Sequence, residues 1–241
     1  MATHVLVTFY SSFGHVHQMA NAVVEGARTV ADADVRVRRI PELEAAGRAM
    51  SGIEWYVRAQ EAMADIPEVT HDDLRWADGI AWGTPTRYGN MSAQMKQFLD
   101  TLGGLWAKGE LEDKATGVFT STANTGGGQE TTIITSAVPL LHLGMVFVGT
   151  PYGENPQLFG AEGRGGSPYG AGTIAGPDGS RQPSEAELTI ARNFGRRLAA
   201  MAGALKPVRR LQPHAVAEDN EQWRAGEDAD VGGKNPVTDR Q

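Results

Sequence analysis

A short polar loop near the start of the chain has the residue types of a phosphate-binding site. Residues 11–15 (Ser-Ser-Phe-Gly-His) follow the apolar run 5–9 and precede apolar positions at helical spacing over 19–27. This order of strand, loop and helix brings backbone N–H groups and a positive helix end to one point, which stabilises an anion. Gly14 allows a close backbone approach or a positive φ. A strand-to-helix turn capped by serine has the same pattern, so the loop alone leaves both interpretations open.

Two further loops have a similar position and a related composition. Residues 84–92 and 121–130 are rich in Gly, Thr and Ser, and each follows an apolar run and precedes a helical pattern. They add hydroxyl groups, the guanidinium of Arg87 and the ring of Tyr88, with Trp106 nearby in the chain. None of the loops has the lysine of an NTPase P-loop, and the first lacks the G-x-G-x-x-G spacing of dinucleotide-binding folds.

The elements that position these loops alternate between strand and helix. We predict strands over residues 5–9, 34–40, 79–82, 115–120 and 145–148, and a last helix that opens at 183–187. Five strands and five helices in alternation predict an α/β fold with a doubly wound parallel sheet and helices on both faces. Ligands bind outside the carboxyl ends of the strands in such sheets, so the three loops are expected to meet at one edge.

The remaining stretches are less regular. Residues 42–75 predict helical turns and loop, and residues 149–183 form a long loop rich in Gly and Pro, of a kind that is usually functional or flexible. Residues 206–241 are polar with charges of both signs, which indicates an extension rather than core. We therefore predict one domain over 1–205 and a polar C-terminal extension over 206–241.

The composition of the 241-residue chain argues against several classes of function. The formal net charge of −7 lacks the basic footprint of nucleic-acid binding, and no cysteine is present for a disulfide or a metal site. The loops contain neither paired carboxylates nor a histidine cluster, so acid–base hydrolysis and a metal centre are not expected. No apolar run is long enough to span a membrane, and the first strand leaves no room for a signal peptide, so a cytoplasmic protein is expected.

Together the three loops fit a phosphorylated, flat heteroaromatic ring. The first loop offers a phosphate site, while the other two offer amide contacts for the polar edge of a ring and aromatic surface for its faces. A phosphate joined to a flat ring is the chemistry of FMN. A five-stranded, flavodoxin-like sheet binds FMN at the point where the strand order reverses, so we expect FMN at this edge.

The motifs in these loops resemble those of the WrbA family of flavodoxin-like NAD(P)H:quinone oxidoreductases. They are residues 10–15 (YSSFGH), 83–91 (GTPTRYGNM), 103–106 (GGLW), 125–130 (TGGGQE), 165–171 (GGSPYGA) and 179–184 (GSRQPS). The similarity runs in order from about residue 5 to about residue 205. It implies bound FMN, two-electron transfer from NADH or NADPH to a quinone by a ping-pong mechanism, and a homotetramer.

The resemblance also implies roles for particular residues. His142 and Trp106 would take part in catalysis, and Phe13 and Trp106 would bind the nicotinamide and the quinone. The residues expected to bind FMN are Ser11, Ser12, Phe13, Gly14, His15, Val16, Thr86, Arg87, Tyr88, Ser121, Thr122, Thr125, Gly126, Gly127 and His142.

The chain departs from the family pattern at three places, and other interpretations stay open. The third loop reads Ser-Thr-Ala-Asn-Thr-Gly where Ser-Thr-Gly-Thr-Gly is usual, Phe13 replaces a usual tyrosine, and Leu143 replaces a common histidine. Taken singly, Phe13 and Trp106 fit ordinary packing, and His142 fits a core histidine. The alternative function is a flavodoxin-type electron carrier or a flavin-binding regulatory protein without quinone turnover.

Overall fold

The computed structural model describes residues 2–160 and 163–211 of the chain. The strands are β1 (Thr3–Phe9), β2 (Ala33–Arg39), β3 (Gly79–Pro85), β4 (Ala115–Thr122), β5 (Val146–Phe147) and β6 (Gly172–Ile174). They form one parallel sheet in the order β2-β1-β3-β4-β5, and β6 pairs with β4 beyond the end of β5. The predicted doubly wound, five-stranded parallel sheet is confirmed, and β6 is an addition that the sequence did not predict.

Helices connect the strands and cover both faces of the sheet. They are α1 (His15–Arg28), α2 (Glu44–Met50), α3 (Glu54–Glu61), α4 (His71–Trp76), α5 (Ala93–Asp100), α6 (Gly103–Ala107), α7 (Gln129–His142) and α8 (Glu185–Leu211). The side chains of β1 alternate between two cores: Val5 and Val7 pack with α1 and α8, whereas Leu6 packs with residues of α5 and α7. Burial of both faces is why β1 and β3 read as nearly continuous apolar runs, whereas the edge strand β2 alternates with charged residues.

The irregular stretch 42–75 folds as three short helices. Of these, α3 buries only Tyr56, and α2 buries no residue fully. The third, α4, begins with a capping box in which Thr70 Oγ1 accepts from the N–H of Asp73 while the Asp73 carboxylate accepts from the N–H of Thr70. Helices this short, with so little apolar surface to bury, leave a weak periodic signal, which explains why the sequence predicted turns and loop here.

The long segment 149–183 contains regular structure as well as loop. A 3₁₀ turn spans Pro156–Phe159, and β6 extends the sheet beside the carboxyl end of β4. This part of the chain is held by Glu187 at the start of α8, whose buried carboxylate accepts from the N–H groups of Gly165 and Ile174. The segment therefore forms a wall beside the edge where the three loops lie.

The last helix extends past the predicted domain boundary at residue 205. It continues to Leu211, and the side chains of Lys206 and Arg209 form ion pairs with Asp78 at the amino end of β3. The predicted extension beyond this helix, residues 212–241, lies outside the described residues. No helix in the described part of the chain is long and apolar enough to cross a membrane.

Candidate functional site

The loop after β1 presents unpaired backbone donors at the N-terminus of α1. Gly14, at φ 89°, is the N-cap residue, and its N–H donates to Ser11 Oγ at 3.1 Å. Within the described residues, the N–H groups of His15, Val16 and His17 have no backbone carbonyl acceptor outside the helix, and the first turn of α1 carries no acidic side chain. Free donors and a positive helix end are the features that favour an anion, so the geometry of this loop is compatible with the phosphate site that the sequence suggested.

The loop after β3 lies between the other two and bonds to both. The N–H of Thr86 donates to the carbonyl of Ser121 at 2.9 Å, so the second and third loops are joined through their backbones. The guanidinium of Arg87 donates to Ser12 Oγ at 2.9 Å, which joins the second loop to the first. Next to Arg87, Tyr88 stands at the tip of a tight turn with φ 56°, and its ring is fully exposed in the single chain.

The loop after β4 is closed by hydrogen bonds of its own. Thr122 Oγ1 and the N–H of Gly127 both donate to the carbonyl of Asn124, each at 3.1 Å. Gln129, at the start of α7, donates to Thr122 Oγ1 and accepts from the N–H of Gly166 in the long segment. The sequence Ser-Thr-Ala-Asn-Thr-Gly, which departs from the usual pattern, thus forms a compact turn around Asn124.

The three loops and the long segment enclose a cavity of about 310 Å³. Eight of the residues that the sequence predicted to bind FMN line it, namely Ser11, Ser12, Phe13, His15, Val16, Thr86, Arg87 and Ser121. The sequence did not predict Trp55 from α3, Pro85, Ala123 or residues 175–179 among the lining. The motif at residues 179–184 was a sequence signal for the lining at residues 175–179, which it overlaps at Gly179. Trp55 had no such signal, because it lies in the segment 42–75 without clear periodicity.

The other predicted residues lie elsewhere. The residues of the site loops that do not line the cavity are Gly14, Tyr88, Thr122, Thr125, Gly126 and Gly127. Trp106 and His142 line a second, larger groove of about 970 Å³ that runs along α5, α6 and α7. Arg87 borders both spaces and so marks where they adjoin. The roles assigned to all of these residues remain predictions.

A buried network lies behind the first loop. Ser12 Oγ donates to Tyr10 Oη at 3.1 Å, and the hydroxyl groups of Tyr10 and Tyr56 both donate to Oε2 of Glu42, at 2.7 and 2.9 Å. Burial, with a contribution from Glu42, raises the pKa of Tyr10, and the same causes raise the pKa of Tyr56 to about 12. Both phenols therefore remain protonated donors, and the hydroxyl of Tyr10 connects Ser12 of the first loop to Glu42.

Burial disfavours the charged form of the two histidines at the start of α1. Burial lowers the pKa of His15 and of His17 below the usual value of 6.5. The ring of His15 donates from Nε2 to the carbonyl of Arg181 at 3.1 Å, and the ring of His17 stacks on Phe9. Backbone amides and hydroxyl groups are therefore the main donors that this loop offers to an anion.

The donors present suit FMN. A terminal phosphate suits the amides of His15, Val16 and His17 with the hydroxyls of Ser11 and Ser12, while Thr86, Arg87 and Ser121 offer polar contacts for a ring edge. The described residues contain no group of His, Asp or Glu side chains that could hold a metal ion. The chemistry of the site is therefore that of an organic phosphate bound by a helix N-terminus.

Comparison with known proteins agrees with this geometry. Residues 6–155 match the model of the family described as NADPH-dependent FMN reductase. The NAD(P)H dehydrogenase (quinone) of Geotalea uraniireducens is 51% identical over 203 residues, covering 83% of this chain and 98% of the relative. That of Geobacter metallireducens is 52% identical over 204 residues, covering 84% and 98%.

Solved structures show the same fold. A WrbA-like flavodoxin from Agrobacterium tumefaciens superposes with a TM-score of 0.60 at 24% identity, covering 85% of this chain and all of that protein. A flavodoxin from the domain Archaea superposes with a TM-score of 0.54 at 18% identity, over 83% of this chain and 99% of its own. The resemblance to the WrbA family is confirmed, and the chain belongs to the flavodoxin-like NADPH-dependent FMN reductase family, among the members named NAD(P)H dehydrogenase (quinone).

Proposed function

We propose that the chain is an FMN-dependent NAD(P)H:quinone oxidoreductase, which moves two electrons from NADH or NADPH to a quinone. The main structural support is that three loops lie together at the carboxyl edge of the sheet, next to free backbone donors at the start of α1. Relatives about half identical in sequence and named for this reaction support it. The cytoplasm, where reduced nicotinamides are available, is the proposed location.

The residues divide by what they would do in this reaction. Residues 11–16 would hold the phosphate and ribityl chain. The residues that would border the ring are Thr86, Arg87, Tyr88, Ser121, Thr122, Thr125, Gly126 and Gly127. When bound, FMN supplies the two-electron chemistry, as hydride acceptor from a reduced nicotinamide and electron donor to a quinone. The chain itself contributes position, exclusion of water and fixed donors.

The groove beside the cavity is the proposed place of both substrates. Its lining is largely apolar and includes Leu99, Val138 and Pro139. Trp106 adds an aromatic ring to this lining and His142 adds a polar side chain. A flat apolar quinone suits such a surface, and Trp106 offers a ring face for it. If NAD(P)H and quinone occupy the same space in turn, they compete, and steady-state kinetics are ping-pong.

The oligomeric state belongs to the proposal as well. Exposed apolar side chains lie on the outer face of α7 and on the long segment: Ile134, Val138, Leu141, Tyr152, Phe159 and Tyr169. With the fully exposed Tyr88 beside them, they form more apolar surface than a solitary chain needs, which favours contact between copies. Light scattering of the FMN-bound protein should give about four times 25.7 kDa for the proposed homotetramer.

A flavodoxin-type carrier or a flavin-binding regulator is the alternative function. The groove with Trp106 and His142 favours the enzyme, since a carrier that passes electrons through its exposed flavin edge needs no such space. Steady-state oxidation of NADH or NADPH with benzoquinone tests the choice. Turnover at rates of about 1 per second or faster supports the enzyme, whereas FMN binding without turnover supports the carrier.

A further inference from the structure

Trp55 occupies an unusual position for a large aromatic residue. It lies on α3, 43% of its surface is exposed, and neither hydrophobic core of the described residues includes it. Its indole stacks on the ring of Phe13, with centroids 3.7 Å apart and planes 22° from parallel. The residue therefore packs on the phosphate loop rather than on the protein interior.

The other side of Trp55 meets the turn at residues 176–179. Gly179 has φ +72°, and a Cβ at this position would lie 2.9 Å from Cη2 of the indole. The six-membered ring of Trp55 thus lies directly on the backbone of this turn, and both Trp55 and the turn line the cavity. Trp55 consequently links Phe13 of the first loop to the turn at residues 176–179.

Helix α3 is fastened to the first loop by further contacts. The side-chain amide of Gln60 donates to the carbonyls of Ser11 and Ser12, both at 3.0 Å. The ring of Tyr56 meets Phe13 edge-on at 6.0 Å between centroids. These contacts hold α3, and with it Trp55, against residues 11–13.

We propose that Trp55 is a cofactor-retaining residue, which with Phe13 closes the cavity at the phosphate loop and slows the release of FMN. For FMN to leave past this end, the stack and its contact with Gly179 must separate. An aromatic pair adds stabilisation beyond its buried area, and differences in affinity at a preformed site appear mainly in the rate of dissociation. The inference rests on FMN binding and not on quinone turnover.

The test compares FMN release from four variants of the full-length holoprotein. Trp55→Ala removes the stack, Trp55→Leu keeps apolar volume without a flat ring, and Trp55→Phe keeps the stack. Arg58→Ala is the matched control, since Arg58 lies on the same helix with an exposed ion pair to Glu54. After dilution into flavin-free buffer, filtration at timed intervals and the absorbance of the filtrate give the release rate without any substrate.

We expect Trp55→Ala to release FMN about tenfold faster than the wild type, Trp55→Leu about fivefold faster, and Trp55→Phe and Arg58→Ala within about twofold of it. Trp55→Leu decides the outcome if the alanine variant does not fold. Wild-type release rates in both Trp55→Ala and Trp55→Leu, or equal acceleration in Arg58→Ala, would overturn the inference alone. A wild-type protein that binds no FMN would overturn it together with the proposed function.

Discussion

Arg87 and Ser12 are joined across the site by a hydrogen bond of 2.9 Å from the guanidinium to the serine hydroxyl. They are 75 positions apart in the chain, on the loops that follow β1 and β3. Ser12 in turn donates to Tyr10, whose hydroxyl donates to Glu42. The charge of Arg87 is thereby positioned between the cavity of the phosphate loop and the groove of Trp106.

This pair predicts non-additive effects on FMN binding. We expect Arg87→Met to weaken FMN binding by about 1–3 kcal/mol, because a charged hydrogen-bond donor is lost. We expect Ser12→Ala to weaken it by about 0.5–1.5 kcal/mol, because a neutral hydrogen-bond partner is lost. The double variant should lose less than the sum, by a coupling energy of about 0.5–1.5 kcal/mol. Calorimetric titration of the FMN-free proteins measures all three.

Arg48→Ala on α2 serves as the control for this cycle, since Arg48 is exposed and forms an ion pair with Glu44 on its own helix. It should leave FMN affinity unchanged. Strictly additive losses in the double variant would show that Arg87 and Ser12 act independently.

Ser11 is expected both to stabilise the first loop and to bind the phosphate of FMN. Its oxygen accepts from the N–H of Gly14, while its O–H remains available to a phosphate. Ser11→Ala should weaken FMN binding by about 1–3 kcal/mol and lower the stability of the FMN-free protein by about 0.5–1.5 kcal/mol. Calorimetry and urea unfolding measure the two effects separately.

Ser92→Ala is the matched control for Ser11, because Ser92 caps α5 by accepting from the N–H of Met95 and does not line the cavity. It should lower stability by about 1 kcal/mol without changing FMN affinity. If Ser11→Ala behaves in the same way, the loop serine is a cap and not a phosphate ligand.

Trp106 tests whether the groove is the place of the quinone. Its ring lines the groove and is 46% exposed, so its loss should leave FMN content largely intact. We expect Trp106→Ala to lower kcat/KM for benzoquinone about tenfold, since the ring positions a flat substrate. Stopped-flow measurement of flavin reduction by NADH should show a smaller effect.

Trp76→Ala provides the comparison, because Trp76 stacks on His4 at the opposite end of the sheet. It should change stability but not kcat/KM. Loss of flavin from the Trp106→Ala protein would make Trp106 a packing residue instead.

Glu187 predicts a stability that depends on pH. Burial raises the pKa of its carboxyl, but hydrogen bonds from Arg181 and from the N–H groups of Ser184, Gly165 and Ile174 outweigh burial, so the pKa lies below 4.5. Because the folded-state pKa is lowered, the stabilisation is complete above about pH 4.5 and is lost as the pH falls through the folded-state value.

Glu187→Gln should therefore lower the free energy of unfolding by about 1–3 kcal/mol at pH 7, since it leaves the partly exposed Arg181 and several backbone donors poorly paired. The difference from the wild type should shrink steadily below about pH 4.5. Urea unfolding of both proteins between pH 3 and pH 7 measures it. A difference that stays constant over this range would mean that the carboxylate charge does not stabilise the long segment.

The parts of this protein that were predictable from sequence are those that local patterns determine. The loops at residues 11–16, 84–92 and 121–130 each follow a buried strand, and topology alone brings the ends of parallel strands together. The site residues Ser11, Thr86 and Ser121 could be named on that basis, with the motif resemblance to guide them.

The rest depends on contacts between distant parts of the chain. Trp55 lines the cavity because α3 packs on Phe13. The short helix has too little buried apolar surface for its sequence to predict that contact. The three-residue strand β6 exists because the edge of β4 is free beyond β5, which no local pattern in 149–183 reveals. Similarly, spacing in sequence does not show that Trp106 and His142 share a groove beside the cavity.

The central claim is that the chain binds FMN and passes electrons from a nicotinamide to a quinone. An anaerobic titration of the purified, FMN-reconstituted protein tests it most directly, with the released flavin identified by chromatography. We expect FMN to be recovered, NADH or NADPH to bleach its visible absorbance, and one equivalent of benzoquinone to restore that absorbance. Recovery of FAD, no flavin after reconstitution, or a spectrum that neither nicotinamide changes would contradict it.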